Sequence, residues 1–398
     1  MNKTVKDILT LTLSTLLTTF LIWLPHFLTI TNFYGLNFTE GFNTIYRNFD
    51  GIEYIIIAKS FYNPEAIATL PQSLSASYYA AHFPLYSLLI LLFTPFLGFL
   101  KSMLFVTLIS TIGSVIAFYF LLKDFKLTSQ PLFLSLLFLI LPARWLIVHS
   151  VGSSEPTFIL LTILSVYYLM KFEQSDFIHL KLKNPPKKNS YIFYSGFYGL
   201  LALLTRPPGI LLGISFGIYI LWKMLKEKVS LNQFFKQLKI YYPLLLIPLG
   251  LVLIFTWYHF TYNDFFAYFH SGDNIHLTFP PFQVFNIAQP WVGDIWLEDI
   301  IYIYILGFLG GLTLLKQKLY PIGFFVLSFF IASILVAHRD ISRYTLPAFP
   351  FLLIAYEKVL TSKEFKIVLL IVALGIYLYS QNYILQNTAP FPNPNLFN

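Results

Sequence analysis

The sequence predicts an all-α, polytopic membrane protein, and three observations carry that reading. Of 398 residues, 57% are apolar, 19% aromatic and only 11% charged, against roughly 25% charged in a soluble domain. The mean hydropathy is +0.69 and apolar runs recur along the whole chain, so repeated crossings are expected rather than one anchor. The basic residues, finally, sort to alternate loops. The formal charge of +8 would suit nucleic acid only as a basic stripe on a soluble surface, so no nucleic-acid partner is expected. With no cysteine, disulfides and thiolate metal sites are excluded.

The first crossing runs from Ile8 to Ile30, preceded by Lys3 and Lys6, which places the N-terminus inside. It lacks a small-residue cleavage site and is expected to stay as the first helix. Further apolar runs begin near Phe83, Met103, Pro131, Pro156, Tyr191, Gly209, Tyr241, Ile300, Tyr320, Thr345 and Phe365. Counting each as a crossing puts the basic loop Lys171–Lys188 outside. That conflict is resolved if the run His82–Leu100 does not cross. It carries Pro84 and Pro95, which remove backbone donors and bend helices, and suits a re-entrant or juxtamembrane helix on the outer face.

The inside loops then hold 19 of the 26 Lys and Arg, the exceptions being Arg47, Lys59, Lys101, Arg144, Arg206, Arg339 and Arg343. About eleven crossings of ~20 residues result, with the C-terminus outside and external loops at 31–100 and 261–299. The whole chain, 1–398, is expected to be a single integral-membrane domain. The short pair Tyr191–Thr205 and Gly209–Trp222 meets at Thr205-Arg206-Pro207-Pro208-Gly209, a tip expected to sink below the outer surface.

Four polar clusters share the outer face: Asp50 with Glu53 and Lys59; Ser153-Ser154-Glu155; Arg206; and His338-Arg339-Asp340-Ile341-Ser342-Arg343-Tyr344. Acids plus arginines at one face suit a reaction between a hydroxyl and a lipid-linked phosphate. A carboxylate accepts the hydroxyl proton, and arginines hold a phosphate through paired N–H donors as its charge grows. Structural roles compete at each position. Asp50 can cap a helix or stand solvated in a loop, Glu155 can start a helix, Arg206 can snorkel, and His82 and His338 can serve only as hydrogen-bonding side chains. A transporter or flippase of lipid-linked sugars is the alternative. It would carry ionisable groups near the midplane and show inverted repeats, whereas here the acids gather at one surface and no repeat is evident.

Five motifs carry a resemblance to a known family. Phe49-Asp50-Gly51 through Tyr54, Ile57-Ala58 and Phe61-Tyr62 resembles a "WDxxxYxxIAxxGY" element. His82-Phe83-Pro84-Leu85-Tyr86 through Leu89 is similar to "FFPLYPLL", and Ser153-Ser154-Glu155-Pro156-Thr157-Phe158 to "YSESLF". Thr205–Gly209 matches "TRxxG", and Ser342-Arg343-Tyr344 through Pro347 and Pro350 matches "RYxLPxxP". In this order they resemble GPI mannosyltransferase 2, the PIG-V family, and its bacterial relatives.

The resemblance implies a GT-C fold and a glycosyltransferase using polyprenyl-phosphate sugars at the non-cytoplasmic face, with mannose the expected sugar and a lipid- or glycan-linked acceptor. It carries the acidic residue of the first external loop onto Asp50, read here as the general base, and a second acidic motif onto Glu155. The reading that follows is an inverting transfer. Arg206 and Arg343 hold the donor phosphate, assisted by Arg339 or Lys59. Glu53, Glu155, His82, Tyr86 and His338 bind acceptor or sugar, and a divalent ion, Mg or Mn, is an option at Glu155. No eukaryotic retention signal is evident, so a prokaryotic cytoplasmic membrane is expected, with the site facing outside.

Overall fold

The structure is a computed structural model that describes residues 2–72, 74–178, 188–272, 277–292, 297–389 and 393–397. Every regular element among them is helical. Helix α1 (Lys3–Phe27) starts at Asn2, whose side chain accepts from the Thr4 N–H at 3.1 Å. The first segment expected to be external is itself largely structured, as α2 (Phe42–Tyr46), α3 (Gly51–Ser60), α4 (Pro64–Ala68) and a 3-10 turn at Ala76–Ala81. Asn63 caps α4 with Pro64 in its first turn, a pairing that satisfies one free N–H and needs no other.

Helix α5 (Leu85–Asp124) joins two expected runs into 40 residues, broken only where Gly98 adopts φ 71°, ψ 169°. The expected discontinuity is therefore present, but Gly98 makes it rather than Pro84 or Pro95. Pro84 sits at the helix start, where no donor is missed, and Pro95 is accommodated within the helix.

The run expected to cross from Pro131 is instead two short helices, α6 (Pro131–Ile140) and α7 (Ala143–Val148). Leu141, extended at ψ 140°, precedes Pro142, and a residue before proline is pushed out of the helical region. Then come α8 (Glu155–Ile178), α9 (Lys188–Thr205), α10 (Ile210–Lys226), α11 (Leu231–Leu238), α12 (Leu246–Tyr262), α13 (Glu298–Lys316), α14 (Tyr320–Ser333), α15 (Ile341–Tyr344), α16 (Phe349–Ala355), α17 (Glu357–Leu360) and α18 (Lys363–Gln386). Of the basic loop 171–188, residues 179–187 lie outside the described ones. By length and composition, seven described helical segments suffice to cross a membrane, and four further apolar helices of 10–17 residues accompany them. This is an integral, multi-pass membrane protein.

The described chain packs as two compact units. One comprises Met1–Leu160, Trp257–Ser271 and Tyr356–Asn398; the other, Leu161–Thr256 and Gly272–Ala355. In the first, α1 packs on α5 and α6, α18 on α7, and α3 on α5. Polar side chains stitch apolar helices: Trp23 donates to Ser150 O at 2.6 Å and Gln381 Nε2 to Ile22 O at 2.9 Å.

In the second unit, α13 packs on α14 and α14 on α10. Gly307 faces Phe330 and Gly311 faces Leu327 so closely that a Cβ would collide with each, the small-residue contact by which membrane helices gain van der Waals energy. Ser165 and Ser195 exchange hydrogen bonds with each other's carbonyls, at 2.8 and 2.9 Å, joining α8 to α9.

Candidate active site

The first unit gathers three motifs that lie far apart in sequence. The chain enters α3 through Asn48-Phe49-Asp50, with Phe49 at φ 46° and Asp50 at the N-cap. Gly51 follows for want of space: a Cβ there would stand 2.8 Å from Met103 Sδ and 2.9 Å from the Gly152 carbonyl oxygen. A Cβ on Gly152 would also strike Met103. Two glycines thus let the Asp50 turn lie against the loop that carries Ser153, Ser154 and Glu155.

Hydrogen bonds complete the junction. Tyr54, one turn into α3, meets Ser154 Oγ through its hydroxyl at 2.9 Å. Its ring is flanked edge-on by His82 at 5.2 Å and Tyr86 at 5.0 Å. The Tyr86 hydroxyl meets Thr107 Oγ1 at 2.6 Å, and the Ser153 N–H donates to the same Thr107 oxygen at 3.3 Å. Ser153 Oγ donates to the Glu155 carboxylate at 2.5 Å. Glu53 and Glu155 are both buried, at 7% and 2% exposure.

Tyrosines support this group from behind. Tyr62 donates to His82 O at 2.7 Å and Tyr258 to Ala80 O at 3.0 Å, fixing the 80–82 backbone. Burial and the nearby Glu53 carboxylate push the Tyr79 phenol above its ordinary pKa, so it stays protonated. Lys59 lies in the last turn of α3 with its ammonium 4.5 Å from the Phe99 ring centre, and partial burial holds its pKa below the usual lysine value.

The C-terminal helix contributes residues that the sequence reading did not use. Asn48 donates to Ile384 O at 2.7 Å and accepts from Asn387 at 3.2 Å, while Ala389 N–H donates to Arg47 O at 2.7 Å. Phe49 stacks on Tyr383 at 5.8 Å, and the Arg144 guanidinium lies 3.7 Å from the same ring. One signal did mark Arg144: it breaks the charge sorting. Nothing in the pattern marked Asn48, Tyr383 or Asn387.

The arginine-bearing motifs lie in the second unit. Ser342 Oγ donates to Asp340 Oδ1 at 3.2 Å, the Arg343 N–H to Asp340 O at 3.0 Å, and the Asp340 N–H to His338 Nδ1 at 3.1 Å. Arg343 is buried and Arg339 exposed. The segment 277–292 binds the turn that leaves α14 toward this loop, with Thr278 N–H to Leu335 O and Phe282 N–H to Ile334 O, each 2.7 Å. Trp291, also unassigned from sequence, stands 6.0 Å from the His338 ring. Arg206 is extended at φ −150°, ψ 141° between α9 and the Pro207–Gly209 turn. Gly209 is required there because a Cβ would run into the Leu203 backbone.

Among the described residues no three His, Asp or Glu side chains converge as a metal cage, and the Glu155 carboxylate is engaged by Ser153. The described residues therefore form no all-protein cage for a divalent ion at Glu155, and no step is routed through one.

By sequence the chain matches no family profile and no curated protein. By structure it resembles ArnT from Cupriavidus metallidurans bound to undecaprenyl phosphate, with TM-score 0.55 and 12% identity over 91% of this chain and 63% of that one. It also resembles the apo state of that protein, with TM-score 0.52 and 12% identity over 84% of this chain and 60% of that one. A third likeness is to the archaeal oligosaccharyltransferase AglB from Archaeoglobus fulgidus, in complex with an inhibitory peptide and a dolichol-phosphate. There the TM-score is 0.55 and the identity 13%, over 96% of this chain and 56% of that one. The fold is of GT-C type. The chain spans 56–63% of the length of these neighbours.

Proposed function

We propose that the protein is a glycosyltransferase that moves a sugar from a polyprenyl-phosphate donor to a hydroxyl of a lipid- or glycan-linked acceptor, with inversion. The observation that carries this reading is the convergence of Asp50's turn, Glu53 and Glu155 with Tyr54, His82 and Tyr86 in one cluster on a GT-C fold. The bound undecaprenyl phosphate of the ArnT structure and the dolichol-phosphate of the AglB structure support a lipid-phosphate carrier. The resemblance of five motifs to the PIG-V family supports mannose as the sugar. The charge sorting supports a site on the non-cytoplasmic face.

In this reading Asp50 is the general base. It takes the acceptor hydroxyl proton while that oxygen attacks the anomeric carbon; the bond from that carbon to the phosphate oxygen breaks, and the lipid phosphate departs with the electron pair. A phosphate leaves readily, so no separate acid is required. Arg206 and Arg343 bind the donor phosphate, with Arg339 or Lys59 in support, because guanidinium pairs two N–H donors with two phosphate oxygens. Glu53, Glu155, His82, Tyr86 and His338 orient the sugar and acceptor.

A transporter would need ionisable groups deep within its spans. Asp50 precedes α3 and Glu155 is the first residue of α8, positions that favour the enzyme. Incubation of purified protein with mannose, glucose and arabinose forms of the lipid donor, with release of lipid phosphate followed, tests the proposal. Release is expected with mannose. Absence of release from every donor, together with passage of lipid-linked sugar across liposomes, would establish the transporter instead.

A further inference from the structure

We propose that a groove at the lysine-rich end of the second unit binds one anionic phospholipid of the bilayer, its acyl chain in the groove and its phosphate against Lys239. The cavity, about 560 Å³, lies between α10 and the chain running from α11 into α12. That size falls in the range of ~300–1,000 Å³ typical of small-molecule sites. Its walls are Ile214, Gly217 and Ile220 on one side and Phe235, Leu245 and Pro248 on the other, with Tyr242 and Lys239 also lining it. A Cβ built on Gly217 meets nothing within 4 Å, so the missing side chain leaves the floor open.

Two features select the occupant. The first is charge: the stretch 223–239 carries Lys223, Lys226, Lys228, Lys236 and Lys239 against the single acid Glu227. Lys223 is held by Glu173 at 2.5 Å, and Lys226 lies over Trp222 and Tyr320. Lys228, Lys236 and Lys239 are exposed and present the positive charge. Basic pockets between membrane helices hold anionic headgroups.

The second is depth. Trp222 and Tyr320, 4.2 Å apart, and Tyr241, donating to Glu173 at 2.8 Å, are the amphipathic rings that settle at the membrane–water boundary. Lys239 precedes this tyrosine level in the chain, and the apolar walls continue past it into α12. A ligand with an anionic head and a long apolar tail fits both features, and the bilayer supplies it as phospholipid.

The purified protein, delipidated in neutral detergent, is titrated with phosphatidylglycerol and separately with phosphatidylcholine, and bound lipid is counted by native mass spectrometry. One phosphatidylglycerol is expected to be retained, with a rise in melting temperature that phosphatidylcholine does not give. Gly217→Leu fills the groove with a better helix former; it should melt unchanged without lipid and lose the retained molecule. Lys239→Gln should weaken phosphatidylglycerol binding roughly fivefold, the effect of one lysine beside an anionic surface, and Lys239→Arg should restore it. Equal binding of both lipids, or occupancy indifferent to both substitutions, means ordinary annular lipid and overturns the site. Sugar transfer is not read, so this result and that of the proposed enzyme stand apart.

Discussion

Asp50 occupies the N-cap of α3, yet its side chain makes no capping hydrogen bond, forgoing roughly 1 kcal/mol that such a bond gives a helix. Of the structural roles open to this acid, the capping hydrogen bond is not made, while the helix N-terminus still favours its negative charge. Asp50→Asn keeps the shape and remains a good N-cap residue. Melting is therefore expected to be unchanged and donor binding retained, while turnover falls by roughly two to four powers of ten. Turnover near wild type would remove Asp50 as base. Arg343 permits a second test, because it is buried beside Asp340. If it binds the donor phosphate, Arg343→Lys keeps charge but loses the planar fork, weakening donor affinity and slowing turnover together, with Arg343→Ala worse in both. Titration of polyprenyl phosphate against each variant, with melting followed in parallel, decides. Intact affinity in Arg343→Ala with a lowered melting temperature would make Arg343 a structural residue.

At the scale of elements, the contact between the Asp50 turn and the Gly152 loop depends on glycine for different reasons at its two ends. A Cβ on Gly51 meets the Gly152 carbonyl, which is backbone, as well as Met103 Sδ, whereas the three atoms nearest one on Gly152 all belong to the Met103 side chain. Gly51→Ala must push the two segments apart, an overpacking cost of about 1–3 kcal/mol, and should lower turnover as Asp50 moves. Gly152→Ala should be milder, and pairing it with Met103→Ala should restore activity. Equal losses in the two single variants would contradict the close approach described here. The other side of the turn is held by the end of α18. Asn48→Ala removes the donor to the buried Ile384 carbonyl and the acceptor of the half-buried Asn387 amide, a loss of about 1–3 kcal/mol. A lowered melting temperature together with reduced turnover is the expected outcome, measured in the same preparation.

At the scale of the whole molecule, the topology is open to direct measurement because the chain lacks cysteine. Ser75 and Asn232 are both exposed and fall on opposite sides in the charge-sorted topology. An impermeant thiol reagent applied outside should label Ser75→Cys and spare Asn232→Cys; labelling of Asn232→Cys alone would invert the orientation. Ser153 would not serve as a labelling position, since it is buried and bonded to Glu155. The helical membrane class was legible in the sequence because hydrocarbon imposes composition over long stretches, and a long enough apolar run announces itself. The motifs around Asp50, His82 and Glu155 were legible too, as short segments of unusual polarity. What tertiary structure alone decided is how those segments meet. No periodicity reveals that Gly51 and Gly152 share the space beside Met103, that Tyr54 reaches Ser154, or that Asn48 is clamped by a helix more than three hundred residues later in the chain. The break at Gly98 and the division of the Pro131 run were equally invisible to hydropathy, which averages over a window and cannot register one residue's φ and ψ. Composition reports the solvent around a chain; contacts between distant residues follow from packing, which only the folded molecule fixes.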